Sequence, residues 1–145
     1  MPLPEFNAEG DLPPGVHRAT IQEVVASFSG STPARRQCTR NLTHVHELVK
    51  STGHPDRFVI FGSYVTDKPS PNDIDLILVM DDEFHVDRVP LETRGLFEHA
   101  VAQPRFGASV FWIKRSSVVG EALDDFIAYW QQKRDGTLRG IAEVL

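Results

Sequence analysis

The stretch FGSYVTDKPSPNDIDLILV, residues 61–79, decides the fold expected for this chain. It joins a glycine-serine turn, a polar segment with two prolines, and an apolar run that begins beside Asp73 and Asp75. Residues two apart on a β-strand project from the same face, so the two carboxylates should lie close together. Because close unpaired anions repel each other, this arrangement predicts a bound cation.

The chemistry of the two carboxylates indicates which cation would bind. Hard oxygen ligands favour Mg²⁺ or Mn²⁺, so Asp73 and Asp75 are the candidate metal ligands. A magnesium ion with few protein ligands keeps positions open for water or phosphate oxygens, which suits a metal-nucleotide complex. The alternative is that the aspartates only cap the turn through bonds to the backbone, a task that Asn72 could perform alone.

The turn before the aspartates has the residue types of a phosphate site. Gly62 allows the backbone to approach a ligand closely, and the Ser63 hydroxyl and the following amides can donate to phosphate oxygens. Lys68 would add a positive charge, and Thr66 is a further candidate for nucleotide binding. Taken singly, Ser63, Thr66 and Lys68 are explained equally well by solvation at the surface.

Helical periodicity is found in four segments. A capping box at Thr20 predicts a helix over 20–28, and the pair Thr32 and Pro33 predicts the start of a longer helix that ends near Gly53. Two more helices are expected over 90–103 and from about 117 to 133. Arg35, Arg36 and Arg40 are expected on a solvated face of the second helix.

Short apolar runs predict the strands. They are RFVIFG (57–62), the run over 74–80 and ASVFWIK (108–114), and the run over 74–80 is apolar on both faces, as in a central strand. The last residues, 138–145, fit an edge strand or a helical turn. The order predicts one α/β (α+β) domain over 1–145, a small mixed sheet with helices packed on it. Residues 1–19, rich in proline, are expected to form an irregular arm.

Composition limits the classes of function. The chain has 145 residues, 41% hydrophobic and 24% charged, and a net charge of −5, which argues against an extended nucleic-acid interface. Its one cysteine, Cys38, excludes an internal disulfide, and no apolar run is long enough to cross a membrane. Because the first residues lack the basic and apolar parts of a signal peptide, a cytoplasmic location is expected.

The motif in the opening stretch resembles a known signature. Gly62-Ser63, nine intervening residues and Asp73-x-Asp75 resemble the nucleotidyltransferase superfamily. That superfamily includes DNA polymerase beta, CCA-adding enzymes, kanamycin nucleotidyltransferase and small antitoxins of bacterial toxin-antitoxin pairs. The motif and strand order cover residues 57–114. The segments LPPGVH (12–17) and WQQKRDGTLRGI (130–141) also resemble a bacterial subfamily of stand-alone nucleotidyltransferase-like proteins.

The resemblance implies a nucleotidyltransferase-like fold and transfer of a nucleoside monophosphate from a nucleoside triphosphate, such as ATP, to a hydroxyl, with release of pyrophosphate. It implies that Gly62 and Ser63 hold the β and γ phosphates and that Asp73 and Asp75 bind magnesium and are catalytic. Members of the superfamily usually supply a third carboxylate from a later strand. The aligned position in ASVFWIK is Ser109, a weak metal ligand and a poor general base.

Two functions are therefore expected from the sequence. The first is a minimal nucleotidyltransferase that modifies a protein or a small molecule. The second, favoured by Ser109, is a catalytically weakened binding module, such as the antitoxin-like member of a toxin-antitoxin pair. Four nearby acids are considered as substitutes for the third carboxylate, and the spacing selects none of them: Asp81, Asp82, Asp87 and Glu98.

Overall fold

A single five-stranded sheet organises the chain. The computed structural model describes residues 3–118 and 121–145, and the strands follow the spatial order β1-β5-β2-β3-β4. The outer pairs, β1 with β5 and β3 with β4, are parallel, and the inner pairs are antiparallel, which confirms the predicted mixed sheet. The strands are β1 (Val16–Ala19), β2 (Pro55–Phe61), β3 (Ile74–Met80), β4 (Ala108–Lys114) and β5 (Ile141–Val144).

The strand β3 is buried on both of its faces. Its even-numbered residues, such as Leu76 and Leu78, belong to the larger of two apolar clusters. The odd-numbered Ile77 and Val79 belong to the smaller cluster on the opposite face. Alternating side chains of one strand therefore serve two cores, which explains why the run is apolar throughout and confirms the prediction of a central strand.

Helices cover both faces of the sheet. The larger cluster contains residues of α1, α2 and α4, and the smaller one contains residues of α5, so the chain has three layers. None of the described helices is both long and apolar enough to cross a membrane. The helices are α1 (Ile21–Phe28), α2 (Pro33–Ser51), α3 (Leu91–Arg94), α4 (His99–Phe106) and α5 (Glu121–Tyr129).

Local capping sets the starts of the first two helices, as predicted. The Thr20 side chain accepts from the N–H of Glu23 at 3.2 Å, and the Glu23 carboxylate accepts from the N–H of Thr20 at 2.9 Å. At the start of α2, the Thr32 hydroxyl accepts from the N–H of Arg35 at 3.2 Å, and Pro33 occupies the first helical position. Such caps contribute about 1 kcal/mol each.

The third predicted helix, over 90–103, is interrupted. A 3-10 turn over Gly95–Phe97 follows α3, and Glu98 is extended before α4 begins. The Phe97 carbonyl accepts a hydrogen bond from Nε1 of Trp112 at 2.9 Å. This side-chain bond replaces a helical one and anchors the break to β4. The helix expected from about 117 to 133 is shorter in the structure: residues 115–117 form a 3-10 turn and α5 ends at Tyr129, while residues 119 and 120 lie outside the described residues.

Two predictions about the chain's flanks are wrong. Residues 16–19, assigned to an irregular arm, form β1 at the edge of the sheet, and Leu12 is buried. The strand β5, expected at an edge, lies between β1 and β2. Local composition cannot reveal either placement, because β1 pairs with a segment distant in sequence, and that pairing moves β5 into the interior.

Candidate functional site

An open cleft of about 900 Å³ lies at the end of the sheet where β2 finishes and β3 begins. Its volume falls in the range of pockets that hold small-molecule ligands. Its walls come from the turn after β2, from the N-terminal segment and from the residues around the end of α5. Five of the six residues proposed from the sequence line it: Gly62, Ser63, Thr66, Lys68 and Asp75.

Antiparallel pairing places Asp75 against the glycine turn. Phe61, the last residue of β2, is paired with Asp75 at the start of β3. Gly62 has a φ of +79°, and a Cβ added there would lie 2.1 Å from Oδ2 of Asp75. Position 62 therefore requires glycine for two reasons: its backbone conformation favours glycine, and a side chain there would collide with the Asp75 carboxylate.

Asp73 lies beside this cleft rather than in its lining. It precedes β3, and its Oδ2 accepts a hydrogen bond from the Ser109 hydroxyl at 3.2 Å. Ser109 is itself in register with Asp75, because β3 and β4 pair in parallel. Ser109 thus stands next to both aspartates, at the position from which the resemblance expects a third carboxylate.

The surroundings of Asp75 shift the pKa of its carboxyl. Burial is the main cause that raises the pKa of Asp75 to about 7, and the negative charge of Asp73 raises it further. The positive charge of Arg139 acts in the opposite direction. At neutral pH the Asp75 carboxyl is therefore divided between its protonated and ionised forms, and a cation would favour the ionised form.

The turn after β2 is held by its own polar groups. Residues 63–65 form a 3-10 turn, and the Thr66 hydroxyl donates to the Ser63 carbonyl at 2.7 Å and accepts from the N–H of Lys68 at 3.1 Å. Thr66 is buried, and these two hydrogen bonds of its hydroxyl hold the turn in its conformation. The Lys68 side chain is exposed on the cleft.

A buried arginine anchors this turn from behind. Arg35 is only 5% exposed, and its guanidinium donates to the carbonyls of Lys68 at 2.9 Å, of Tyr64 at 2.9 Å and of Thr66. It also donates to the Phe28 carbonyl at 2.8 Å. The prediction that Arg35 belongs to a solvated helix face is wrong, since its acceptors come from a loop that is distant in sequence.

The possible metal-ligand atoms of the site suit a hard cation. The side chains of Asp73, Asp75 and Ser109 offer only oxygen atoms as ligands, which is the ligand type that Mg²⁺ and Mn²⁺ prefer. Within residues 3–118 and 121–145, no three His, Cys, Asp or Glu side chains are grouped closely enough to hold a metal ion. A metal here would therefore need ligand or water oxygens to complete its coordination.

The four acids considered as substitutes for the third carboxylate do not line the cleft. Asp81 and Asp82 follow β3 at the end opposite to Asp75, and the rise of a strand puts that end roughly 20 Å away. Asp87 and Glu98 also lie outside the lining. Asp81 and Asp82 are therefore too distant to replace an acid at position 109.

Sequence reasoning missed the cationic part of the cleft. Residues 131–139, here called the basic hairpin, bring Lys133, Arg134 and Arg139 to its wall, and Tyr129 and Trp130 precede them. The available signal was three cations within seven residues of an acidic chain. The sequence placed Lys133 at the end of a predicted helix and Arg139 in the last predicted segment, and assigned neither residue to the site.

Comparisons with known proteins place the chain in a family. Residues 4–145 match the family described as "Family of unknown function (DUF6932)". Searches of curated proteins and of solved structures gave no match. Because the family match spans almost the whole length, the chain belongs to this family, DUF6932.

Proposed function

We propose that the chain is a minimal nucleotidyltransferase. It binds a nucleoside triphosphate with Mg²⁺ or Mn²⁺ in the cleft and transfers the nucleoside monophosphate to a hydroxyl of a protein or a small molecule. The observation that carries the proposal is the position of the Asp75 carboxylate against Gly62. A carboxylate in contact with a glycine-serine turn brings a metal ligand and phosphate donors to one point.

The proposed reaction is a substitution at the α-phosphorus. The acceptor oxygen forms a bond to that phosphorus, the bond to the bridging oxygen of the β-phosphate breaks, and pyrophosphate leaves. The hydroxyl proton passes to water, because Ser109 is a poor base. A bound metal ion would neutralise charge on the phosphate oxygens and orient them.

The chain's own residues have separate roles in this proposal. Asp73 and Asp75 hold the metal, while Gly62 and Ser63 contact the β and γ phosphates. Lys68 supplies a charge at the mouth of the cleft. Tyr129, 60% exposed on the cleft wall, offers a face for the base to stack on. Thr66 shapes the turn that presents Ser63 and Lys68.

The acidic charge of the chain favours a small acceptor or a protein over a nucleic-acid template. We also propose a reducing compartment such as the cytoplasm, because the thiol of Cys38 is free and buried.

A magnesium-dependent labelling assay tests the transferase. The protein is incubated with candidate acceptors and a triphosphate labelled at the α-phosphate, and wild type is compared with Asp75→Ala. We expect labelling and pyrophosphate release to depend on Mg²⁺ and to be lost in the variant. Asp87→Ala, an exposed acid outside the cleft, is the matched control and should label normally. Equal labelling by Asp75→Ala would remove the role assigned to this residue.

A second function is favoured by the bond between Ser109 and Asp73. A hydroxyl in place of an acid weakens metal binding, so the fold would serve as a non-catalytic binding module, for example the antitoxin-like member of a gene pair. This function predicts that nucleotide raises the melting temperature without turnover. It also predicts a tight complex with the product of a neighbouring gene. Mg²⁺-dependent turnover would decide against it.

A further inference from the structure

The basic hairpin is a built feature of the cleft rather than a loose tail. Gln132 and Leu138 form an antiparallel bridge, the N–H of Lys133 donates to the Thr137 carbonyl at 2.8 Å, and the N–H of Arg139 donates to the Gln131 carbonyl at 2.9 Å. These bonds fix the two arms of the hairpin relative to each other.

Hydrogen bonds between neighbouring residues close the tip of the hairpin. Oδ1 of Asp135 accepts from the N–H of Thr137 at 2.9 Å and from its hydroxyl at 2.6 Å. Gly136 takes a φ of +85°, a conformation that other residues rarely adopt. Local turn chemistry therefore sets the spacing between Lys133 and Arg139.

A buried carboxylate holds both cations at the cleft wall. Asp11 is 6% exposed, and its Oδ2 accepts from Nζ of Lys133 at 2.9 Å, while Nη1 of Arg139 lies 3.8 Å from its Oδ1. Asp11 also forms a backbone bridge with Thr66, so the hairpin is linked to the turn after β2. Lys133 and Arg139 remain about one quarter exposed and line the cleft.

The two cations have donors beyond those that Asp11 uses. A lysine ammonium has three N–H groups and an arginine guanidinium has five, and Asp11 accepts only part of these. Lys133 and Arg139 line the same cleft as Asp75. The two cations thus contact the buried acid and share a cleft with a proposed metal ligand.

We propose that Lys133 and Arg139 bind the phosphate chain of the ligand, a role that rests on the proposed function and gives the site a polyphosphate specificity. Fixed cations opposite a metal-binding carboxylate match a chain of phosphates that carries several negative charges. Glu9 and Asp67 also line the cleft. Their negative charges would repel an anionic ligand that has no bound divalent cation.

The test measures equilibrium binding by calorimetry, with Mg-ATP and magnesium tripolyphosphate as probes of the full chain. The double variant Lys133→Gln/Arg139→Gln should bind both probes at least about tenfold more weakly than wild type. The matched control is Lys50→Gln/Arg105→Gln, which removes two exposed cations outside the cleft and should leave both affinities unchanged.

A further variant tests whether weaker binding by the double variant results from a folding defect. Removing both cations leaves Asp11 buried without a partner, so the triple variant Asp11→Asn/Lys133→Gln/Arg139→Gln removes the acid as well. It should be folded by circular dichroism and should bind as weakly as the double variant.

The outcomes separate the two proposals. Equal affinity of wild type and the triple variant for both probes would overturn the role of the hairpin and leave the transferase proposal intact. Weaker binding by the variants together with no turnover in wild type would support the hairpin's role and reject the transferase. Tripolyphosphate binding as tight as that of Mg-ATP would identify an inorganic polyphosphate as the ligand recognised by the hairpin. If wild type binds neither probe, both proposals are rejected.

Discussion

The carboxylate of Asp75 lies against the α-carbon of Gly62, so closely that a methyl group on that carbon would be 2.1 Å from Oδ2. Two strands that meet at one end of the sheet create this contact, since Gly62 follows the last residue of β2, Phe61, which pairs with Asp75 in β3. Any side chain at position 62 would have to displace the acid on which the proposed chemistry depends.

Gly62→Ala should therefore cost more stability than a positive φ alone explains. We expect a loss of about 2 to 4 kcal/mol, the sum of backbone strain and overpacking against Asp75. The control is Gly53→Ala, where φ is also +79° but no atom lies within 4 Å of the added carbon, and about 1 kcal/mol is expected. Urea unfolding of both variants measures the difference, and equal losses would contradict the close contact.

The stability of the metal-free protein should depend on pH through Asp75. Because its folded-state pKa is raised to about 7, the folded state binds the proton more tightly than the unfolded state. The contribution of Asp75 to the free energy of unfolding therefore falls as pH rises from about 4 to about 7 and stays low above pH 7.

Asp75→Asn removes this titration. With a chelator present, we expect the variant to exceed wild type in stability on the order of 2 kcal/mol at pH 8, with little difference at pH 4.5. Thermal unfolding at the two pH values tests this, with Asp87→Asn as an exposed control. A difference that stays constant with pH would show that Asp75 is not the responsible group.

Position 109 should control metal affinity. Ser109→Asp places a third carboxylate in register with Asp75 and beside Asp73. We expect Mn²⁺ to bind about tenfold more tightly, because an added charged ligand completes an oxygen site. Ser109→Asn, similar in size but uncharged, should bind Mn²⁺ like wild type. Calorimetric titration checks this, and equal affinity of the Asp and Asn variants would mean that another position faces the metal.

Arg35 should be intolerant of lysine. A lysine cannot reproduce a planar fork that reaches the carbonyls of Phe28, Tyr64 and Lys68, so Arg35→Lys should cost about 2 to 4 kcal/mol. Arg36→Lys, one residue later on an exposed position, should change stability by less than about 0.5 kcal/mol. Denaturant unfolding distinguishes them, and a small effect at Arg35 would remove its role as the anchor of the turn.

The sequence predicted those parts of the fold that depend on neighbours in the chain. The caps at Thr20 and Thr32, the two-faced β3 and the approach of Gly62 to Asp75 follow from short spacings and period. The place of Ser109 was implied by the resemblance, and the structure puts it opposite Asp75 because β3 and β4 pair in parallel.

The remaining parts depend on partners distant in sequence. Arg35 lies beside the apolar stripe of α2, and its acceptors come from a turn about 30 residues later. Asp11 and Lys133 are joined across most of the chain. Periodicity reports only which residues share a face, so neither contact could be predicted from it.

The placement of β5 has a consequence for biosynthesis. The strand β1 pairs only with β5 in the described sheet, and Val16 faces Ile141, about 125 residues later. At translation rates of roughly 5 to 20 residues per second, β1 waits on the order of ten seconds for its partner to be synthesised. During that interval the edge of β2 that later receives β5 is unpaired, and a chaperone that shields this edge on the ribosome would protect the nascent chain from aggregation.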